Sequence, residues 1–583
     1  MLNLLGRWMT SKTYIDIETN GLNPDTIWCV GADDQLFRTD GDFKKYLYGR
    51  PGTVYAHNGV NFDFPVLQKL WGVDWTHFEF RDTLIMARMA DPERKSHSLE
   101  SFGLEWGFPK GDHNDWSQFS VEMAEYCKQD VRLLQRVATW AEKELNSSGL
   151  DWEDAYQREV KVARIIDRQI KNGWLLDQRA CWDLVGMLQN ESLELEAQVR
   201  EKFKPLPTFV KEIHPKEKAD GTLSKVGLNC LSDDWQTCGG PFSRIDYEPF
   251  NLGSRQQIGR YLQWFGWKPE KFTETGQPMV DEVVLEDVPI PEAQLIQRYL
   301  MVNKRLSQVR SWLDAVDEDG RVHGYVNPLG AVTGRMTHSG PNMAQIPGTR
   351  KPHGKECRSC WIVKPGYKLV GVDADQLELV MLAHYMGDPE FTASIESGDK
   401  DAGTDVHTRN QKAAGLPTRD DAKTFIYAFL YGAGADKLGA IVGGSGAEGN
   451  RLKRKFLAYY PKLKDLIDRV KASARKGWIK GLDGRKVRVR SQHSALNTLL
   501  QSAGAIVMKE ALVVLDEYAT KWGLDFEWVG NIHDELQAEV AEKDAEKFAY
   551  LAGLCITKAA LNLGVRCKLT GSGNIGDNWS ETH

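Results

Sequence analysis

The sequence predicts a multidomain α/β protein, and three observations carry that expectation. The chain has 583 residues, more than one hydrophobic core supports, and one domain per ~150 residues suggests about four units. The stretch LVGVDADQLELVMLAHY, residues 369–385, reads as a short buried strand (Leu369, Val370, Val372) that delivers Asp373 at its end and turns into an apolar-faced helix. Far downstream, FEWVGNIHDELQAEV has two apolar runs flanking His533, Asp534 and Glu535. Leu536, Ala538 and Val540 alternate against Gln537 and Glu539, so Asp534 falls at a hairpin tip. Two carboxylates on rigid strand ends can hold a pair of hard cations. Magnesium suits such a site, because it prefers oxygen ligands and takes few protein carboxylates beside substrate phosphates.

Composition sets outer bounds. Apolar content of 42% fits an ordinary globular protein. A net charge of -7 excludes a uniformly basic nucleic-acid coat but leaves room for local basic grooves offset by acidic sites. The nine cysteines are odd in number and scattered, as expected of reduced thiols. Cys357 and Cys360 form a lone CxxC without a well-spaced second pair, which reads as ordinary free cysteine rather than zinc. MLNLLGRWMTSK runs into a strand too soon for a signal or transit peptide. No apolar run looks long enough to span a bilayer, so a cytoplasmic protein with no membrane partner is expected.

Taken in order, TYIDIETNGL is a strand with Asp16 and Glu18 on one face. VYAHNGVNFDFPVLQKL is a strand, turn and helix presenting Asn58 and Asp63. SVEMAEYCKQDVRLLQRV is helical, with Tyr126 and Asp130 four apart on one face. Asp130 alone would read as part of a solvated acidic face. Acids from three elements at motif-like positions make chance a poor explanation.

Residues 151 to about 190 are helical by pattern, with KNGWLLDQRA as a break. A long charged helix then ends near Lys204. From Pro205 to Phe250 the periodicity stops: Pro, Gly, Asp and Ser punctuate the chain beside Lys211, Lys216, Lys218 and Lys225, as in a loop-rich insertion or small subdomain. Helical patterning returns at SRQQIGRYLQWFGW and PEAQLIQRYLMVNKRLSQVRSWL. At 327–348 small residues and turns surround Arg335, which either faces solvent or reaches a nucleic-acid groove.

In LPTRDDAKTFIYAFLYGAGADKLG, Thr418 is an expected N-cap with Asp421 three residues on. Arg419, Lys423, Tyr427 and Tyr431 follow at intervals of four along one face. Such a stripe is either simply solvated or a nucleotide clamp, with cations on phosphates and rings on a base. RLKRKFLAYYPKLKDLIDRV reads as one basic amphipathic helix. GRKVRVR alternates, which puts Lys486, Arg488 and Arg490 on one strand face suited to a template backbone. The next helix offers Asn497 and Gln501 one turn apart.

These motifs carry a resemblance. DIE, HNGVNFD and YCKQD resemble the three motifs of proofreading exonucleases built on four acids and a tyrosine, over residues 1–150. That resemblance implies an RNase H-like 3'-5' exonuclease domain. In it Asp16, Glu18, Asp63 and Asp130 would ligate two metal ions, and Tyr126 would orient the attacking water. DADQLEL, RDDAKTFIYAFLYG and HDE match the order and spacing of the polymerase motifs of family A DNA polymerases, most similar to the replicative enzymes of short-tailed T-odd bacteriophages.

The implied architecture is a right hand: a thumb over 151–315 with an insertion at about 205–250, a first palm segment over 316–390, fingers over 391–490 and a second palm segment over 491–583. Asp373, Asp534 and the carbonyl of Ala374 would bind two Mg2+ ions, with Mn2+ able to substitute. Arg419, Lys423 and His407 would face the triphosphate, with Lys423 counted among the catalytic groups. Tyr427 would stack near the incoming base, Glu378 would exclude a 2'-hydroxyl, and Arg335 and Gln501 would read minor-groove acceptors.

The implied reaction is attack of the primer 3'-hydroxyl on the α-phosphate of a deoxynucleoside triphosphate, with proofreading of the product. Primer–template DNA is the implied partner. A processivity factor, a helicase-primase and a single-strand-binding protein are expected beside it in an infected bacterial cell, with no 5'-nuclease domain ahead of the proofreading unit. Related phage enzymes recruit thioredoxin through a thumb insertion. The shorter basic insertion here points instead to duplex DNA or another partner.

The chain departs from the family at Asp375, where serine is usual, and at Val380, where arginine is usual. A single-subunit RNA polymerase fits less well, because it lacks the Glu378 gate and the proofreading acids. A stand-alone ribonuclease would explain only the first quarter. A scaffold with dead sites would be missing metal ligands.

Overall fold

The structure is a computed structural model that describes residues 11–231, 236–286 and 288–582. Residues 1–10, on which the leader reading rests, lie outside the described residues. The chain divides into two compact units, one running to Leu176 and resuming at Ala315, the other Asp177–Asp314. The helix Glu153–Asn172 belongs to the larger unit.

The strand Ser11–Thr19 is central to the first sheet. Thr13, Ile15 and Ile17 alternate into its core, which turns Asp16 to the opposite face. The order is Gln35–Phe37, Ile27–Ala32, Ser11–Thr19, Gly52–Ala56, Glu79–Asp82. The first two pairings are antiparallel and the last two parallel. The helix Val121–Asn146 packs on this sheet through Val131, Leu134 and Val137.

A second, antiparallel sheet has the order Phe526–Ile532, Glu535–Ala541, Tyr367–Ala374, Gly571–Gly576. Leu369, Val370 and Val372 are fully buried in it. The strand Tyr367–Ala374 turns into the helix Leu377–Met386 through Gln376, a non-glycine residue at φ 53°. The long helix Ala495–Lys521 packs against Leu377–Met386 and Ala545–Asn562. Its length and apolarity would suffice to cross a membrane, against the sequence expectation. The apolar window is 89% buried, so the helix serves as a core element.

Residues 205–250 are rich in loop and turn, and one antiparallel ribbon, Leu206–Ile213 with Phe242–Glu248, runs through them, with residues 232–235 outside the described residues. The strands of the ribbon bury little, so no buried alternation marks them. Two local expectations are corrected. The basic stretch at 451–470 is two helices, Gly446–Tyr459 and Pro461–Ala474, because proline lacks the N–H that would continue the first and favours an extended Tyr460 before it. The strand in GRKVRVR covers only Lys486–Arg488, so Arg490 lies beyond it. KNGWLLDQRA also holds a short strand, Trp174–Leu176, paired with Trp361–Ile362 and Arg321–Val322.

Candidate active sites

The first site gathers on the Ser11–Thr19 strand. Asp16 and Glu18 come from the strand, Asp63 opens the helix Asp63–Trp71, and Tyr126 and Asp130 lie one turn apart on Val121–Asn146. Glu18, Asp63 and Asp130 are each at most 5% exposed. Burial raises the Asp16 carboxyl far above the carboxylate range, and Asp130, Glu18 and Asp63 push it further. Burial followed by the Asp130 charge carries Glu18 to about 9. Burial takes Asp63 to about 8 against hydrogen bonds from backbone N–H groups.

Buried like charges that no protein group neutralises are costly. Glu18 Oε1 and Asp130 Oδ1 are buried acceptors without a hydrogen-bond donor. Hard oxygen donors with unsatisfied lone pairs fit divalent cations. Ligand atoms of Asp16, Glu18 and Cys127 also lie within 4.8 Å of one another. The site opens into a cleft of about 850 Å³ lined by Asp16, Asn58, Lys110, Tyr126 and Asp130. Lys110 Nζ lies 2.5 Å from Asp130 Oδ2, a contact the sequence reading missed because FPKGDHNDW has no periodicity.

The second site forms on the antiparallel sheet. Asp373 pairs directly with Glu535, which sets Asp534 on the adjoining turn residue. His533 and Asp534 make a two-residue hairpin turn with His533 at φ 59°. A positive first position matches the twist of the flanking strands, and holding it with histidine stores strain. Glu535 faces inward: it accepts from Trp579 Nε1 and Gln537 Nε2 and lies 3.5 Å from Arg358 Nη1. Asp373, at the end of its strand, and Asp534, on the turn, lie on adjoining strand ends. Ala374 ends the same strand, buried, and its N–H donates to Asp373 Oδ1 at 3.0 Å.

The helix Arg419–Leu430 carries the expected stripe, with the Thr418–Asp421 capping box formed. Burial raises the Tyr427 hydroxyl to about 12, helped by Glu378 and then Asp534. Tyr431 donates to Glu378 Oε1 at 2.9 Å, and Arg335 Nη2 lies 3.9 Å from the same oxygen. Tyr431 was placed on the stripe by spacing but not recognised as a partner of Glu378.

Arg419 Nε and Nη2 both donate to Asp405 Oδ1, at 3.1 and 2.9 Å. Asp405, another residue missed from sequence, is held down to about 2 against burial by hydrogen bonds from Arg419 and Thr408. His407 is buried, its ring 6.4 Å from that of Tyr427, and its Nδ1 has no hydrogen-bond partner. Burial and then the Arg419 charge lower its pKa. Lys423 is exposed and Gln501 half-buried.

Lys486 and Arg488 share one face of the strand Lys486–Arg488, opposite the buried Val487, while Arg490 lies beyond it. Lys486 reaches Ser147 Oγ at 3.3 Å, Arg488 is half-buried, and Arg490 extends past the strand to Glu93 at 3.4 Å. Of the two departures, Asp375 is tied to Thr570 by its side chain and backbone N–H, and Val380 is 1% exposed in the core.

Comparison with known proteins identifies the family. The model of DNA polymerase family A matches residues 233–581. The DNA-directed DNA polymerase of Enterobacteria phage T3 is 34% identical, over 93% of this chain and 95% of its own length. The DNA-directed DNA polymerase of Escherichia phage T7 is also 34% identical, over 97% and 99%. Among solved structures, the POL domain of Pol1 from M. smegmatis, in complex with DNA primer-template and dNTP, shares the fold. Its TM-score is 0.71 at 19% identity, covering 98% of this chain and 96% of that one. The chain therefore belongs to DNA polymerase family A, as a DNA-directed DNA polymerase of the phage type.

Proposed function

We propose that this polymerase is a phage replicative enzyme that extends a primer on a DNA template from deoxynucleoside triphosphates and proofreads with a separate 3'-5' exonuclease centre. The observation that carries the reading is the presence of two acid sets on two different sheets, Asp373 with Asp534 and Asp16 with Glu18. Magnesium bound at each set, with manganese as a substitute, would neutralise phosphate charge and lower the pKa of the attacking oxygen.

In the polymerase centre, Asp373, Asp534 and the Ala374 carbonyl would hold the cations, which would supply charge to the triphosphate and activate the primer 3'-oxygen. Arg419 leaves Asp405 for the triphosphate, and Lys423 and His407 line its path. The primer 3'-oxygen bonds to the α-phosphorus and pyrophosphate departs. Tyr427 packs by the incoming sugar and base, Glu378 fills the space a 2'-hydroxyl would need, and Arg335 and Gln501 contact the minor groove of the new pair. Electrostatics and positioning account for most of the acceleration.

In the exonuclease centre, Asp16, Glu18, Asp63 and Asp130 would hold the cations and Tyr126 would orient the attacking water. The ribbon of 206–248 and the residues Lys486, Arg488 and Arg490 are proposed DNA or partner contacts, with helicase-primase and single-strand-binding protein as expected companions. The test is primer extension with deoxy or ribo triphosphates, with and without magnesium. Extension that needs magnesium and deoxynucleotides supports the reading; equal use of ribonucleotides defeats it.

A further inference from the structure

Lys110 is a cation set among the acids of the first site. Its ammonium lies 2.5 Å from Asp130 Oδ2 and 4.8 Å from the centre of the Tyr126 ring. Asp130 is 4% exposed at its side chain, whereas Lys110 is 24% exposed and lines the open cleft. The segment bearing it is anchored: Trp28 Nε1 donates to the Trp116 carbonyl at 3.0 Å, and the Trp116 ring packs 5.7 Å from Tyr126. The backbone of this segment is thus held beside Tyr126 while a flexible four-carbon stem carries the charge.

We propose that Lys110 is a catalytic residue of the exonuclease centre, a tethered cation that balances the four acids before metal binds and then contacts the phosphate being cleaved. The inference rests on the exonuclease reading above. If Asp130 turned to a divalent ion, Lys110 would keep its contact with Tyr126, and a scissile phosphodiester in the cleft would offer its ammonium a new anionic partner. There the water gives a proton to solvent as its oxygen bonds to phosphorus, and the bond from phosphorus to the 3'-oxygen breaks with its electron pair. That oxygen takes a proton from solvent, and a deoxynucleoside monophosphate leaves. Lys110 transfers no proton; its charge offsets the negative charge gathering on the phosphate oxygens. Lysine suits the task as a compact point charge on a stem that can reposition.

The test compares Lys110→Met and Lys110→Arg with the wild type in three measurements. These are degradation of a labelled single-stranded oligonucleotide in magnesium, primer extension, and thermal unfolding in EDTA. For Lys110→Met we expect exonuclease kcat to fall roughly a hundredfold, primer extension to hold, and the metal-free melting temperature to drop. Lys110→Arg should recover part of both losses. Wild-type degradation by Lys110→Met overturns the proposal, as does an unchanged metal-free melting temperature.

Should Lys110→Met also lose primer extension, Lys110→Arg decides: retained degradation supports the proposal and lost degradation overturns it. An Asp16→Ala/Glu18→Ala variant separates the two levels. If it is inactive in degradation while Lys110→Met is fully active, the proposal fails alone. If it still degrades DNA, the exonuclease reading fails as well.

Discussion

Tyr431, the residue that caps the helix Arg419–Leu430, and Glu378, on the helix Leu377–Met386, are joined by a hydrogen bond of 2.9 Å. The bond holds the Glu378 carboxylate, proposed above to edge the nucleotide site, with Arg335 3.9 Å away. Glu378→Ala removes the obstacle and should raise ribonucleotide incorporation by roughly ten- to a hundredfold, with deoxynucleotide use less affected. Tyr431→Phe frees Glu378 without removing it and should give a smaller rise. Single-nucleotide incorporation with matched deoxy and ribo triphosphates checks both.

Tyr427 is the residue proposed to meet the incoming sugar. If its hydroxyl offers a hydrogen bond near the place of a missing 3'-hydroxyl, dideoxynucleotides should be accepted nearly as well as normal ones. Tyr427→Phe leaves that region unsatisfied, at a cost of about 1 to 3 kcal/mol, or roughly tenfold to a hundredfold in incorporation. The ratio of termination to extension at one template position, with the exonuclease disabled, measures this. Strong rejection of dideoxynucleotides by the Tyr427 enzyme would contradict it.

The buried acids of the first site make metal-free stability depend on pH. Glu18 rises from 4.5 to about 9 and Asp63 from 3.8 to about 8 on folding, mainly through burial among Asp16, Asp130 and Asp82 with Lys110 opposing. The folded protein therefore holds protons that the unfolded chain has released. The resulting stability is complete below about pH 4 and is lost as pH rises through about 8 to 9. In EDTA, the melting temperature of the wild type should fall relative to Glu18→Gln between mildly acid and mildly alkaline pH. Magnesium should raise the wild-type melting temperature more at the alkaline end. A difference that does not change with pH would contradict this account.

Much of this chemistry is legible along the chain because it follows local rules. Asp373 and Asp534 sit where a strand ends and a hairpin turns, Asp16 and Glu18 where alternation turns them from the core, and Thr418–Asp421 where a capping box requires them. What was illegible depends on distance or on the absence of pattern. Lys110 stands in an aperiodic segment and meets Asp130 only after folding. The ribbon at Leu206–Ile213 is too exposed for alternation to mark it.

A buried ion network makes the same point. Glu159 accepts from Lys509 Nζ at 2.7 and 2.8 Å and from Arg485 Nη1 at 2.7 Å, across more than three hundred residues of sequence. Arg485 also pairs with Asp483, which Arg158 bridges to Glu510. Glu159→Ala leaves two buried cations short of a partner and should destabilise the protein by about 3 to 5 kcal/mol. A Cβ on Gly334 would lie 3.5 Å from Arg485 Nη1, so the turn carrying Arg335 leans on this network. Thermal unfolding and affinity for primer–template, measured together, should both decline. An unchanged melting temperature would contradict the estimate.

The central claim is that two separate acid sets serve two separate reactions, and one paired measurement tests it most directly. Asp16→Ala/Glu18→Ala and Asp534→Ala are each assayed for oligonucleotide degradation and for primer extension in magnesium. The account predicts that the first variant extends normally and does not degrade, while the second degrades normally and does not extend. Loss of both activities in either folded variant would contradict it.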